Sequence, residues 1–158
     1  MLLQTLAAAA LIILLWSLFR LAMGLRWTKL SREAAERAEL ERGRRVVAEL
    51  PAADQVLLFL EDAAGFAWGE QRVGKSEIAG ARVLLNGGVI GTWARHGQLP
   101  DPPLAEVYEG RERWEVELYL GDGRRLQVAC GTLREGVSRE AALAVFEAVR
   151  RGAEAASG

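Results

Sequence analysis

Residues 114–130, WEVELYLGDGRRLQVAC, decide the fold of this chain. Every second residue of the first half is apolar, and the alternation returns in the second half, as in two strands with one buried face. The apolar faces match only across a three-residue turn at 121–123 with Gly123 in the left-handed region, because directly opposed residues share one side of a sheet. We therefore predict a hairpin with a glycine bulge that sets Leu118 opposite Leu126, Val116 opposite Val128 and Trp114 opposite Cys130.

Shorter apolar runs upstream extend this sheet. Residues 56–60 form one run closed by a turn at 61–65, and residues 66–68 resume the alternation. Asn86-Gly87-Gly88 separates two further runs and is a strong hairpin signal. Three prolines within 97–103 indicate a loop. We expect an antiparallel sheet of six or seven strands.

A C-terminal helix follows the sheet in our prediction. Ser138 can cap it, and basic residues precede Gly152, where cations complement the helix dipole. Its apolar face has the spacing i, i+3, i+4, i+7 and consists of Ala142, Val145, Phe146 and Val149. We expect this helix to close the core and residues 153–158 to form a disordered tail.

The first 27 residues suggest a membrane anchor. No charged residue precedes Arg20, and so long an apolar run suits the ~30 Å hydrocarbon core of a bilayer. The alternatives are a cleaved signal peptide, for which no small-x-small cleavage site is evident, and a buried helix. We predict one transmembrane helix in residues 1–27. The basic flank after it predicts a single-pass protein of the inner membrane with the N-terminus outside and the domain in the cytoplasm.

Residues 28–51 are rich in helix formers and end at Pro51, which predicts a helical juxtamembrane stalk. Its apolar positions form only a ragged stripe, and Gly43 interrupts them, so a long coiled coil is disfavoured. We expect a solvated spacer helix, with a weak homodimer contact through the stalk as the alternative.

Charge and composition narrow the function classes. Residues 1–50 carry 8 Lys and Arg against 5 Asp and Glu, whereas residues 51–158 carry 12 against 16. The domain is therefore acidic, which disfavours nucleic-acid binding. One cysteine, Cys130, and one histidine, His96, predict neither a zinc site nor a Ser-His-Asp triad. We expect no catalytic residues, no metal and no cofactor.

Residues 69–76 match the phosphate-loop pattern G-x-x-x-x-G-K-S, with Gly69, Gly74, Lys75 and Ser76 at the defining positions. Such a loop cradles phosphates with backbone N–H groups at the start of a helix that follows a buried strand. The residues after Ser76 favour a strand instead of a helix. A turn between strands is our interpretation, and a nucleotide site is the alternative.

Two other groups of residues receive structural interpretations. Five glutamates are predicted to form the solvated face of a strand and its approach: Glu106, Glu109, Glu112, Glu115 and Glu117. Trp68, Trp93 and Trp114 are predicted to be core or rim residues, with ligand stacking as the alternative.

The order of a membrane helix, an antiparallel sheet and a closing helix resembles the pleckstrin-homology-like domains of bacterial membrane proteins. Three segments carry the resemblance: Phe66-Ala67-Trp68-Gly69 entering a hairpin, the link at 76–81, and the 114–130 hairpin. The resemblance covers residues 52–152 and implies an α+β, mainly β domain, a half-open barrel plugged by the helix. Lipid-binding members use basic residues in an early loop, which here are Arg72, Lys75 and Arg82.

The sequence therefore predicts a membrane-tethered, non-enzymatic scaffold that recruits a protein partner on the cytoplasmic face. A sheet edge or the barrel rim would be its contact surface. The alternatives are a nucleotide-binding protein using residues 69–76 and a lipid-headgroup sensor.

Overall fold

The computed structural model describes residues 14, 16, 17, 34, 36–51, 56–102, 112–131 and 135–157. The chain divides into two units, Met1–Arg42 and Gly43–Gly158. Residues 36–41 of the first unit are helical. In the second unit the described strands are β1 Arg45–Pro51, β2 Val56–Glu61, β3 Gly65–Trp68, β4 Gln71–Gly74, β5 Ile78–Leu85, β6 Gly88–Ala94, β7 Trp114–Leu120 and β8 Arg125–Gly131. A 3-10 turn, Lys75–Glu77, precedes β5, and helix α1 spans Glu135–Ala155.

The predicted fold class needs two corrections. Nowhere in the described ranges is a helix both long and apolar enough to cross a bilayer. The predicted membrane segment, residues 1–27, lies outside those ranges except for Leu14, Trp16 and Ser17. The β domain is not a half-open barrel of six or seven strands. Its described strands form two antiparallel four-stranded sheets, ordered β1-β2-β3-β4 and β6-β5-β7-β8.

Strand β5 lies inside the second sheet because β6 pairs with one of its sides and β7 with the other. A simple meander would instead have placed β6 between β5 and β7. Burial explains the observed order. Strand β5 is buried along most of its length, which suits an inner strand, whereas β6 is partly exposed throughout, which suits an edge.

Strand β1 corrects the predicted stalk, which is not helical through residue 51. Residues 45–51 pair antiparallel with β2, and Arg45 lies opposite Glu61. Leu50 is buried and Val47 packs against the core. Pairing and burial outweigh the helix propensity of Ala48 and its neighbours, because propensity is a weak prior against tertiary contacts. The domain thus begins before residue 52.

The turn chemistry of both predicted hairpins is confirmed. Asn86 has φ 51° and Gly87 φ 79°, so both central residues of the β5–β6 turn are left-handed, as a type I′ turn requires. In the β7–β8 turn, Gly123 has φ 87°. Its N–H donates to the Leu120 carbonyl at 3.0 Å, and the Leu120 N–H donates to the Arg124 carbonyl at 2.9 Å.

The predicted β7–β8 register is correct except at its open end. Leu118 lies opposite Leu126 and Val116 opposite Val128. Trp114 lies opposite Gly131 instead of Cys130, because the register shifts between Trp114 and Glu115. A bulge shifts the pairing of the two strands by one residue. The register that the turn sets therefore holds only up to the first bulge, and the sequence predicts it best close to the turn.

One hydrophobic core is shared by both sheets and helix α1. The predicted apolar face of α1 is confirmed, since Val145 and Val149 are fully buried and Phe146 nearly so. Each such side chain contributes roughly 1.5–3 kcal/mol of burial free energy. In the first sheet, Phe59 stacks with Phe66 at 5.6 Å and with Trp68 at 5.2 Å between ring centroids.

Both predicted ends of α1 are wrong. The helix begins at Glu135, so Ser138 lies within it and is buried instead of capping it. It continues past Gly152 to Ala155, so the predicted disordered tail at 153–158 is helical at its start. A Cβ at Gly152 would lie 2.9 Å from Phe66 Cζ and 3.0 Å from Lys75 Cε. The glycine therefore permits close packing and does not end the helix.

Replacing Gly65 tests the packing of β3 against β4. A Cβ there would lie 2.2 Å from the Val73 carbonyl oxygen, a backbone atom in the paired strand. We expect Gly65→Ala to lower the free energy of unfolding by about 1–3 kcal/mol in urea melts, as overpacking does. Gly121→Ala, whose Cβ would meet only the Glu77 carbonyl oxygen at 3.8 Å, is the matched control. Coinciding melts of the two variants would contradict this packing.

Candidate functional site

The segment that matches the phosphate-loop pattern has a different geometry. Gly69 lies in the turn after β3, Gln71–Gly74 is strand β4, and the following 3-10 turn leads directly into β5. Successive N–H groups of an extended strand point in opposite directions, so they do not converge on one phosphate. The residues that come directly after this turn, Ile78–Leu85, form strand β5 and not the helix that a phosphate loop needs. The interpretation as a turn between strands is correct only at residues 69–70 and 75–76, because Gln71–Gly74 is itself a strand.

Lys75 is held by an ion pair instead of projecting into a loop. Its Nζ lies 2.9 Å from the Glu61 carboxylate and 5.6 Å from the centroid of the Phe66 ring. Arg45 also contacts Glu61. Burial raises the pKa of Glu61, but the hydrogen bonds and charges of Arg45 and Lys75 outweigh it and hold that pKa below its usual value. Lys75 thereby joins the 3-10 turn to β2.

The three predicted lipid-binding residues do not form one basic patch. Arg72 is exposed and pairs with Asp62 at 2.7 Å. Lys75 pairs with Glu61, and Arg82 is only 6% exposed. Each cation is separately paired or covered, so the surface they were predicted to share is not formed.

Arg82 belongs to a buried polar cluster that we call the Arg82 cluster, made of Arg82, Glu117 and Tyr119. These side chains lie on the face of β5 and β7 opposite the core, since Arg82 pairs directly with Glu117. Arg82 donates to the Tyr119 hydroxyl at 2.8 Å, and that hydroxyl donates to Glu117 at 2.7 Å. The guanidinium also lies 5.1 Å from the Tyr119 ring centroid. Arg125 adds an ion pair to Glu117 at 3.5 Å.

The Arg82 cluster corrects the prediction for the acidic residues. Glu115 and Glu117 are buried, not solvated, and Glu115 pairs with Arg113 at 3.2 Å. Glu112 is exposed, as predicted, and accepts a hydrogen bond from the Trp114 indole at 3.3 Å. The remaining two, Glu106 and Glu109, lie outside the described residues. A buried carboxylate is stable only with partners, which these arginines supply.

Leu99 covers one end of the Arg82 cluster. A Cβ at Gly80 would lie 2.5 Å from Leu99 Cδ2, so the glycine leaves a notch that Leu99 fills. Arg82 reaches the Leu99 carbonyl at 3.5 Å, while its Nε has no acceptor among the described residues. Burial and the adjacent Glu117 raise the pKa of Tyr119, so its hydroxyl keeps the proton that it donates. The arrangement clamps β5 to β7 and presents no exposed nucleophile.

The single histidine and the single cysteine of the chain differ in exposure. His96 is exposed in the loop after β6. Cys130 is buried, and this burial raises the pKa of its thiol to about 12. Nowhere in the described ranges do three His, Cys, Asp or Glu side chains gather as a metal site would require. Trp68 and Trp114 are buried in the core, and Trp93 packs against it, as predicted.

The free edge of β6 is an accessible binding feature of the domain. Within the described part of the chain, β6 pairs with β5 only. Val89 is 41% and Ile90 56% exposed, although both are large and apolar. Val83 lies opposite Gly91 and Leu84 opposite Val89, so Ile90 is an extra residue that forms a β-bulge. A bulge redirects side chains, which explains why two successive apolar residues are exposed.

The backbone of β6 past the bulge is regular, and its free groups can be assigned. The Arg95 N–H donates to the Ala79 carbonyl at 2.8 Å, so this pair is hydrogen-bonded across the two strands. Hydrogen-bonded and non-hydrogen-bonded pairs alternate in an antiparallel ladder. Trp93 therefore bonds to β5, whereas the N–H and C=O groups of Thr92 and Ala94 point away from it, toward the open edge.

Comparisons of the chain with protein-family models, curated proteins and solved structures give no match. The resemblance to pleckstrin-homology-like domains stays a prediction.

The sequence predicted a contact surface at a sheet edge or the barrel rim, and it did not single out β6. Its lack of charge was visible in the sequence, but its edge position depends on strand order. The Arg82 cluster was missed because alternation places Glu117 and Tyr119 on one face without showing that this face is buried.

Removing the Tyr119 hydroxyl tests the Arg82 cluster. Tyr119→Phe removes the hydroxyl that bonds both buried side chains, so Arg82 keeps only its contact with the Leu99 carbonyl and Glu117 only its ion pair with Arg125. We expect the free energy of unfolding to fall by about 1–3 kcal/mol, the cost of unsatisfied buried groups. Glu117→Gln and the double variant complete the cycle, and a non-zero coupling energy shows that the two residues interact. Fully additive effects would mean that the hydroxyl and the carboxylate act independently.

Proposed function

We propose that this protein is a non-enzymatic interaction module that binds an extended segment of a protein partner along the free edge of β6. The observation that carries the proposal is an uncharged edge strand with Val89 and Ile90 exposed. An open edge supplies main-chain hydrogen bonds to an added strand, and exposed side chains beside it supply apolar contacts.

Comparison with the other edges supports the choice of β6. Proteins protect edge strands with charged residues, proline or short length, because a bare edge pairs with other chains. Strand β1 contains Arg45, Glu49 and Pro51, the four-residue β4 contains Arg72, and β8 begins with Arg125. Of the four edge strands described, β6 alone has neither a charge nor a proline. In the part of the chain that the structure describes, its one protective feature is the bulge at Ile90, which leaves residues 91–94 available.

The position of the module in the cell is a separate part of the proposal. We propose that it acts at the cytoplasmic face of the inner membrane, supported by the uncharged residues 1–19 and the basic flank after them. Neither a nucleotide nor a lipid headgroup is favoured by the geometry, because the cations that were candidates for either are paired or covered.

Site-specific photo-crosslinking tests the β6 edge. We would place p-benzoylphenylalanine at position 90 of the full chain, produced in its native cells, and at the exposed position 127 of β8 as the matched control. The expected result is a light-dependent protein adduct at position 90 that is absent at position 127. Thr92→Pro should abolish the adduct and preserve the fold, since the Thr92 N–H points to the open edge and edge strands tolerate proline there.

Two outcomes would contradict the proposed function. The first is the absence of any adduct at position 90, and the second is equal labelling at positions 90 and 127. Trp93→Pro separates an edge effect from unfolding, because the Trp93 N–H is bonded to β5 and its loss should lower the melting temperature.

A further inference from the structure

We infer that the strand accepted by β6 is β6 of a second copy of this chain, paired antiparallel about a two-fold axis through Thr92. This inference rests on the proposed function, because it names the occupant of the same edge. Two-fold symmetric pairs are the commonest protein oligomers, and their interface must be complementary to itself. Strand β6 meets this requirement in three ways: the direction of its free N–H and C=O groups, the sizes of its side chains and its lack of charge.

The backbone fixes the register. The free N–H and C=O groups of Thr92 point to the open edge, so Thr92 can form a hydrogen-bonded pair with Thr92 of the second copy. That register places Gly91 opposite Trp93 and Ile90 opposite Ala94. Residues that face each other directly across an antiparallel pair share one side of the sheet. Both copies then contribute their second sheet to one continuous sheet.

Side-chain size fits this register. The bulky Trp93 meets Gly91, which has no side chain, and the exposed Ile90 meets the small Ala94. A Cβ at Gly91 would have no atom within 4 Å in the chain itself, so space is open beside it. At the centre, two threonines face each other, a favourable cross-strand pair through their hydroxyl groups. Each large residue thus meets a small one, without overlap of two large side chains.

Charge also favours a second copy at this edge. A two-fold axis pairs each strand antiparallel with its own sequence, so a strand that carries charge of only one sign brings like charges near one another. Strand β6 has no charged residue, whereas self-pairing of β8 would bring Arg125 toward an identical strand. Residues 51–158 carry 16 acidic and 12 basic residues. The net negative charge makes two copies of the domain repel each other. At low salt this repulsion extends over long distances, whereas physiological salt screens it beyond about 8 Å. Dimerisation should therefore strengthen as salt rises from low concentration.

Single engineered cysteines test the register in the full chain, purified in a mild detergent. The native Cys130 is 2% exposed and its thiol pKa is raised to about 12, so it does not compete. Cross-strand Cα atoms about 4.5–5.5 Å apart lie within the range that a disulfide can span. We expect Thr92→Cys, oxidised with diamide, to give a product of twice the chain mass that a reducing agent reverses. Gln127→Cys on β8 is the exposed control and should stay monomeric.

A mixed experiment distinguishes this register from random collision. Ile90→Cys and Ala94→Cys should cross-link to each other when mixed, and each alone should give much less product. Equal cross-linking of Thr92→Cys and Gln127→Cys would overturn the inference, as would a Thr92→Cys variant that stays monomeric although its melting curve shows a folded domain. In that last case, an adduct with a different protein at position 90 would leave the proposed function standing. Absence of any adduct at position 90 would overturn both the proposed function and the inference that β6 pairs with a second copy.

Discussion

Strand β7 is buried along its whole length on both faces, and this constraint organises the second sheet. One face contributes Val116 and Leu118 to the core. The other face carries two carboxylates and a phenol, which cannot be buried without partners. Strand β5 must therefore bring Arg82 opposite Glu117, and the register of the pair does so. The inner position of β5 and β7 follows, with β6 and β8 left as edges.

The burial of β7 also divides the second sheet into two parts. Strands β5 and β7 are joined by buried polar groups, whereas the edge strand β6 is available for binding. The Arg82 cluster joins β5 to β7 by hydrogen bonds between buried groups, which are stronger in a poorly polarisable interior than in water. Strand β6 pairs with the other side of β5, where Thr92 lies opposite Arg82, and it exposes Val89 and Ile90. An edge positioned by a rigid neighbour can accept another strand without rearrangement of the core, which lowers the entropic cost of binding.

Local chemistry in the sequence predicted the parts of the fold that depend on a few neighbouring residues. Asn86, Gly87 and Gly123 fix two turns, and each turn fixes the register of the strands beside it. The apolar face of α1 was equally clear from its spacing. The misses depend on contacts between distant residues. Strand β1 consists partly of helix formers and is a strand only because β2 pairs with it. The burial of Glu117 depends on Arg82 and Arg125, which lie on other strands, and alternation cannot predict those partners.

Hydrogen exchange of individual backbone amides most directly tests whether β7 is a buried inner strand and β6 a free edge. The measurement uses dilute protein so that copies do not associate. Amides of inner strands open only with the whole domain, whereas free edge amides exchange readily. We expect Val116 and Leu118 of β7 to exchange slowest, Trp93 to be protected through its bond to β5, and Thr92 and Ala94 to exchange fast. Protection of Thr92 equal to that of Trp93, or fast exchange along β7, would contradict a buried central β7 and a free β6 edge.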